Sequence, residues 1–243
     1  MNMDYNKLAE SCAEWIRDWF ETNGKGCCAV LGMSGGKDST VAAALCAKAL
    51  GAGNVVGVAM PAEGQSLNGA DEICARLGIR YICVPVGGII GGFDAIPLDL
   101  SHQAAQNIPP RVRMAVLYAV SQSLNGRVVN TCNLSEDWVG YATRWGDAVG
   151  DFSPLGKLTV QEVKGIGHAL GVPAQWVEKT PDDGLPHSCS DEQKFGFTYA
   201  TLDHYIRTGE CPDSAIKEKI DRMHRSNLFK LSMPPAFEPE AEL

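Results

Sequence analysis

Apolar residues near the start of the chain follow a helical period. Leu8, Cys12, Trp15, Ile16 and Trp19 share one face within Asp4 to Glu21, and Asn23-Gly24 supplies a stop. The period then shortens. Cys27 to Gly32, Asn54 to Met60, Arg80 to Val86 and Arg127 to Asn133 read as short strands, the second closed by Pro61. Val41 to Leu50, Asn68 to Leu77 and Arg111 to Leu124 read as the helices between them, whereas Gly87 to Asp99 is glycine-rich and irregular. This alternation predicts an α/β fold of right-handed crossovers: a doubly wound, mostly parallel sheet with helices on both faces and a topological switch point beside the first strand.

Downstream, Thr159 to Leu170 has helical period with Thr159 as cap, and Thr198 to Thr208 and Pro212 to Ser226 follow as helices. Two stretches lack long periodicity. Leu134 to Leu155 carries Trp138, Tyr141, Arg144 and Trp145 among acids and glycines, and Thr180 to Ser190 mixes acids, prolines and a histidine. Long loops with aromatic content are usually functional, and both are expected to close over a ligand. With no repeat or clear linker, residues 1–243 read as one domain.

Composition narrows the class. A net charge of −8 argues against general nucleic-acid affinity, which needs a basic face. Nine cysteines without any Cys-x-x-Cys pair suggest reduced thiols in a cytoplasmic protein and weaken zinc or iron–sulfur readings. The polar start, Met1 to Glu10, lacks a signal-type apolar segment, and no window approaches a membrane span.

The chemistry is concentrated in Ser34-Gly35-Gly36-Lys37-Asp38-Ser39-Thr40, between the first strand and its helix. Paired glycines let the backbone approach an anion, the helix start presents unpaired N–H groups, and three hydroxyls add donors. Asp38 would repel phosphate unless a divalent cation lay between them, so the loop implies a nucleotide with Mg²⁺. It is not a Walker A loop, because Asp38 separates the lysine from the hydroxyl pair.

The loop resembles the Ser-Gly-Gly-x-Asp-Ser pyrophosphate loop of ATP pyrophosphatases, which have the adenine nucleotide alpha-hydrolase-like fold. Three further segments are similar to NAD synthetases: Asn107-Ile-Pro-Pro-Arg111-Val-Arg113-Met114; Asn130 to Glu136 with Gly140 to Asp147 and Asp151 to Leu155; and Lys179 to Pro181 with Ser190 to Glu192 and Gly196 to Tyr199. The resemblance implies an ammonia-dependent ligase. ATP would adenylate the nicotinate carboxylate of deamido-NAD, releasing pyrophosphate, and ammonia would displace AMP to give NAD. It assigns Asp38 and Glu136 to the metal, Thr131 to ATP alongside the loop residues, and Asn107, Arg111, Arg113, Arg144, Asp151 and Lys230 to the substrate; Lys157 is read as the substitute ATP contact for the family's lysine, whose place is taken by Val160. Asp147 and Asp183 are candidates for acting on ammonium, and a homodimer is implied by the family's habit of pairing. A chain of this length leaves no room for a glutaminase domain, so direct ammonia use is expected and a separate glutaminase subunit stays open.

Departures from the pattern sit at Val160, where the family often has a lysine for ATP, at Asp182, where a hydroxyl residue is expected, and at Phe229 before Lys230, where a histidine is common. An amination subunit of the GMP synthetase type would share the loop but not the Arg-x-Arg-Met segment. A tRNA-thiolating enzyme would need catalytic cysteines and a basic surface. A nucleotide sensor would bind ATP and turn over nothing.

Overall fold

The structure, a computed structural model, describes residues 3–179 and 190–238. Its centre is a four-stranded parallel sheet of order β3-β2-β1-β4, formed by β1 (Cys28–Gly32), β2 (Val55–Ala59), β3 (Arg80–Cys83) and β4 (Gly126–Val128). The chain moves outward from β1 through β2 to β3, then returns to the other side of β1. The switch point therefore lies between β1 and β4, beside the first strand as expected.

The helices are α1 (Tyr5–Asn23), α2 (Lys37–Leu50), α3 (Ala70–Leu77), α4 (Gly87–Gly91), α5 (His102–Ser123), α6 (Leu134–Val139), α7 (Val160–Ala169), α8 (Ala174–Val177), α9 (Asp191–Phe195), α10 (Tyr199–Thr208) and α11 (Ser214–Asn227). Alternate strand residues face opposite ways, so each strand feeds two cores. Ala29, Leu31, Val55 and Ala59 join α1, α2, α3, α7 and α8 on one face, through Ile16, Leu45, Ile73, Val163 and Trp176. Val30, Val56, Val58 and Val128 face the other way, onto Val112 and Leu117 of α5. A third cluster, Val139, Val160, Phe195, Phe197, Tyr199, Leu202 and Ile220, ties α6 and the start of α7 to α9, α10 and α11.

Cap chemistry at several ends matches the sequence. Asp4 accepts from the backbone of Asn6 and Lys7, and Thr159 forms a reciprocal capping box with Glu162. Elsewhere boundaries shift. The third and fourth strands end sooner than the apolar runs do, at Cys83 and Val128, so Thr131 lies beyond the sheet rather than at a strand end. Past β4, Val129 still donates to the Val30 carbonyl of β1 at 2.9 Å and forms an isolated bridge with Phe152. The glycine-rich stretch from Gly87 contains α4 and a 3-10 turn (Gly92–Ala95).

The largest difference is α5, which begins at His102 and runs through Pro109 and Pro110 instead of starting at Arg111. Two prolines remove two ladder bonds and ordinarily end a helix. Here the first half is held from outside: Thr143 donates to Asn107 Oδ1 at 2.7 Å, and Gly146 packs so closely on Pro110 that a Cβ would sit 3.1 Å from its backbone.

Gly57, in the middle of β2, has a similar steric reason: a Cβ there would sit 2.7 Å from both Cys74 Sγ and Met33 Cγ. Gly57→Ala is expected to destabilise the fold by about 1–3 kcal/mol through overpacking, lowering the urea midpoint without changing the slope.

Candidate functional site

The phosphate loop is shaped by its glycines. Gly35 adopts φ +73°, and a Cβ there would lie 2.3 Å from the carbonyl oxygen of Asn68, so both conformation and space exclude a side chain. Gly36 is the N-cap of α2, where no side chain caps the helix start. Its carbonyl accepts from Thr40 Oγ1 at 2.7 Å and Ser39 Oγ at 3.2 Å, while its N–H donates to Ser34 Oγ at 3.2 Å. The hydroxyls of Ser34 and Ser39 lie 3.2 Å apart. The hydroxyls thus stiffen the loop, and the start of α2, with no side-chain cap, has the backbone N–H groups that an anion could take.

Asp38 and Glu136 come together although they follow different strands, β1 and β4. Lys37 donates to Asp38 Oδ2 at 2.7 Å and stands 3.8 Å from Glu136 Oε1. Asn133, fully buried, links the same two elements: its Nδ2 donates to Asp38 Oδ1 at 3.0 Å, and its Oδ1 accepts from the Glu136 backbone at 3.1 Å. Burial raises the Glu136 carboxyl well above its ordinary range, and the charge of Asp38 pushes the same way, against the pull of Lys37. Burial works against the charged Lys37 ammonium, but Asp38 and Glu136 outweigh it and the net shift is upward. Two carboxylates that share one ammonium beside the uncapped start of α2 are a donor set that fits a magnesium-like cation, which commonly takes one or two protein carboxylates and completes its shell with water and phosphate. Among the described residues no group of three or more His, Cys, Asp and Glu side chains forms a closed cage.

Most of the other expected site residues are bonded to backbone groups. Arg111 and Arg113 diverge, as their spacing on a helix requires. Arg111 Nε donates to the Arg144 carbonyl at 3.4 Å, whereas Arg113 donates to the Met60 carbonyl at 2.9 Å and to Gln65 Oε1 at 2.6 Å. Asp151 accepts from the Val128 backbone at 2.7 Å and from the Tyr118 hydroxyl at 3.3 Å, so it closes the end of β4 as well as facing solvent. Lys230 donates to the carbonyls of Gly140 and Ala142 at 2.9 and 3.4 Å. Arg144 lies between the rings of Trp145 and Phe229 and donates to the Ser232 carbonyl at 3.2 Å. Phe229 thereby acquires a packing role. Lys157 is exposed and faces Asp137, while Val160, where a lysine is common, is buried among the C-terminal helices. Trp138 stacks on His224 with centroids 4.0 Å apart, so it packs the loop, whereas Tyr141 and Trp145 stay exposed. Asp182 and Asp183 lie outside the described residues, as does nearly all of the Thr180 to Ser190 loop.

Asn130 and Asn133 are the residues the sequence pattern left unassigned. Asn130 donates to the carbonyls of Asp147 and Val149 at 2.9 and 3.3 Å and accepts from the Cys132 backbone and Ser153, pinning the loop after β4. A recognisable signal existed for Asn133, which stands three residues before Glu136 as an N-cap does.

Residues 8–234 match the family model for NAD synthase. The NH(3)-dependent NAD(+) synthetase of Finegoldia magna is 37% identical over 246 residues, covering 97% of this chain and 98% of that one. Among solved structures, NMN synthetase from Francisella tularensis superposes with a TM-score of 0.88 at 28% identity, covering 98% and 99% of the two chains. The NH3-dependent NAD synthetase from Campylobacter jejuni, in complex with the nitrate ion, gives 0.80 at 29%, covering 97% and 100%.

Two outcomes are expected from this geometry. Gly35→Ala should weaken ATP binding about tenfold or more, a change of ~1.4 kcal/mol, because the left-handed position costs about 1–2 kcal/mol and the loop must also move from Asn68; calorimetric titration checks this, with circular dichroism confirming the fold. Asp137 provides the second. Burial first, then the charge of Asp147, raises its carboxyl to about 6 against the opposing pull of Lys157. A raised acid favours the protonated fold, so stability is lost as pH climbs from the unfolded carboxylate range through about 6. Asp137→Asn should therefore be more stable than the parent at pH ~8 by on the order of 1 kcal/mol, and the gap should close near pH ~4, measured by urea midpoints.

Proposed function

The chain belongs to the NAD synthase family, and from that premise we propose that it is an ammonia-dependent ligase that uses ATP to convert the nicotinate carboxylate of deamido-NAD into the amide of NAD. The carrying observation is the meeting of Lys37 and Asp38 with Glu136 at the switch point, beside the loop read here as the anion cradle.

A carboxylate is a poor acyl donor, so an amide forms only after a leaving group is attached. Attack of a carboxylate oxygen on the α-phosphorus of ATP forms the acyl-adenylate and expels pyrophosphate; ammonia then adds to the acyl carbon and AMP leaves. In this reading the 34–40 loop holds the β- and γ-phosphates through backbone N–H groups and hydroxyls at the start of α2. Asp38 and Glu136 would hold Mg²⁺, which supplies charge neutralisation for the departing pyrophosphate. Asn133 keeps the two acids in register. Thr131 and Lys157 are assigned to ATP, and Asn107, Arg111, Arg113, Arg144, Asp151 and Lys230 to the acid substrate.

Ammonium must lose a proton before it attacks, and Asp147 and Asp183 are the proposed acceptors. Burial raises the Asp147 carboxyl, partly offset by hydrogen bonds from Thr143, which brings it nearer to what a base needs. Pairing of two copies belongs to the same reading, supported by Ile89, Ile96, Leu98 and Leu100, which expose apolar surface around the start of α5. No described helix is long and apolar enough to cross a membrane.

A second reading concerns the size of the acid substrate. The close backbone likeness to an NMN synthetase favours a mononucleotide carboxylate as an alternative acceptor of the same adenylyl group. Both readings are tested together by following pyrophosphate and amide formation with ATP, Mg²⁺ and ammonium chloride on the dinucleotide and mononucleotide acids in parallel. The expected result is NAD from deamido-NAD, with glutamine unable to replace ammonium and kcat falling about 10²-fold or more in Asp38→Asn. A larger kcat/KM on the mononucleotide would replace the first reading by the second, and turnover of neither acid would remove both.

A further inference from the structure

Lys37 is an unusual residue to find inside this site. Its side chain is 2% exposed, yet it begins α2 in the middle of the phosphate loop. A buried ammonium is costly unless it is paired. Here its partners are the two acids assigned to the metal, Asp38 at 2.7 Å and Glu136 at 3.8 Å, and its remaining side is covered by the ring of Tyr199, with the centroid 5.8 Å away. Asp191, the first residue of α9, contributes a more distant negative charge. The second oxygen of Asp38 is occupied by Asn133. The ammonium therefore stands where a cation shared by the two carboxylates would stand.

A divalent cation on the oxygens that Lys37 now holds would lie a few ångströms from its ammonium, and like charges that close repel strongly where water is scarce. Lys37 is also tethered next to the anion cradle by a flexible four-carbon stem, so a turn of its side chain moves the charge from the acids towards the place where phosphates would lie. We propose that Lys37 is an exchangeable internal counter-ion: it holds the Asp38–Glu136 pair against free divalent metal, and it yields that pair only when nucleotide phosphates arrive to take the ammonium. The inference rests on the reading of Asp38 and Glu136 as metal ligands. It adds an order of events, in which cation and nucleotide enter together.

The test is a Mn²⁺ titration of the full chain, with bound metal read by electron paramagnetic resonance and water-proton relaxation, for the parent, Lys37→Met and Lys37→Gln. The measurements are made without nucleotide and with α,β-methylene-ATP. In the absence of nucleotide both variants are expected to bind Mn²⁺ at least tenfold more tightly than the parent, and Asp38→Asn added to Lys37→Gln should abolish the gain. With the analogue, the parent should form a protein-bound Mn²⁺ complex, and the variants should hold metal-nucleotide about tenfold more weakly. Lys37→Gln retains a polar tail in the same space, so the comparison stands if the methionine variant does not fold. Parent-like or weaker Mn²⁺ affinity in a folded variant, beside a normal ternary complex in the parent, overturns the counter-ion role and leaves the metal assignment intact. Absence of protein-bound Mn²⁺ in every form, analogue included, overturns both.

Discussion

Charge buried at the carboxyl end of β1 governs how the rest of the molecule is arranged. Lys37, Asp38 and Glu136 can leave water only as a group, because each alone would bear a large desolvation penalty. The requirement ties the first turn of α2 to the first turn of α6, two segments almost a hundred residues apart in sequence. Asn133 meets it with one side chain, its amide nitrogen on Asp38 and its oxygen on the Glu136 backbone. The direction of α6 is set as a result, and with it the position of Trp138 against His224 and of Val139 in the C-terminal core.

The sheet makes that meeting possible. Reversal of strand order at β1 leaves the ends of β1 and β4 side by side with no crossover helix between them, so the loops that follow converge on a crevice. Alternation of strand residues into two cores keeps both strands rigid, and the polar groups at their ends inherit that rigidity. The neighbouring loop, residues 140–147, is held differently. Its contacts run from Arg111 and Lys230 to backbone carbonyls, and Arg144 reaches from it to the Ser232 carbonyl. A cation on a neutral carbonyl is bound less firmly than one on a carboxylate, so these side chains are more readily transferred to an anionic ligand than Lys37 is.

Much of this was legible from residue order. The strand, glycine turn and helix at residues 28–50 were, because an apolar run, paired glycines and an alanine-rich period follow one another directly. The doubly wound sheet was, because the hydrophobic period changes from strand to helix at each crossover. The start of α5 was not: Pro109 and Pro110 point to a boundary locally, and only the packing of Gly146 and the bond from Thr143 carry the helix back to Ser101. Asn133 was not, because Arg127 to Asn133 reads as a strand with no helix legible after it, and its second bond goes to a residue far away in sequence.

The sequence by itself determined the fold class, the glycine loop at the start of α2 and the residue types available for ATP-dependent amide formation, since local period, glycine placement and charge are properties of neighbouring residues. Tertiary structure alone decided which charges share a pocket, that Lys37 lies inward on Asp38 and Glu136, and that Asp151 closes a strand while Arg144 stacks between two rings. The physical reason is that the energy of a charged or aromatic side chain depends on burial and on partners brought from distant segments, and neither is written in the residues on either side of it.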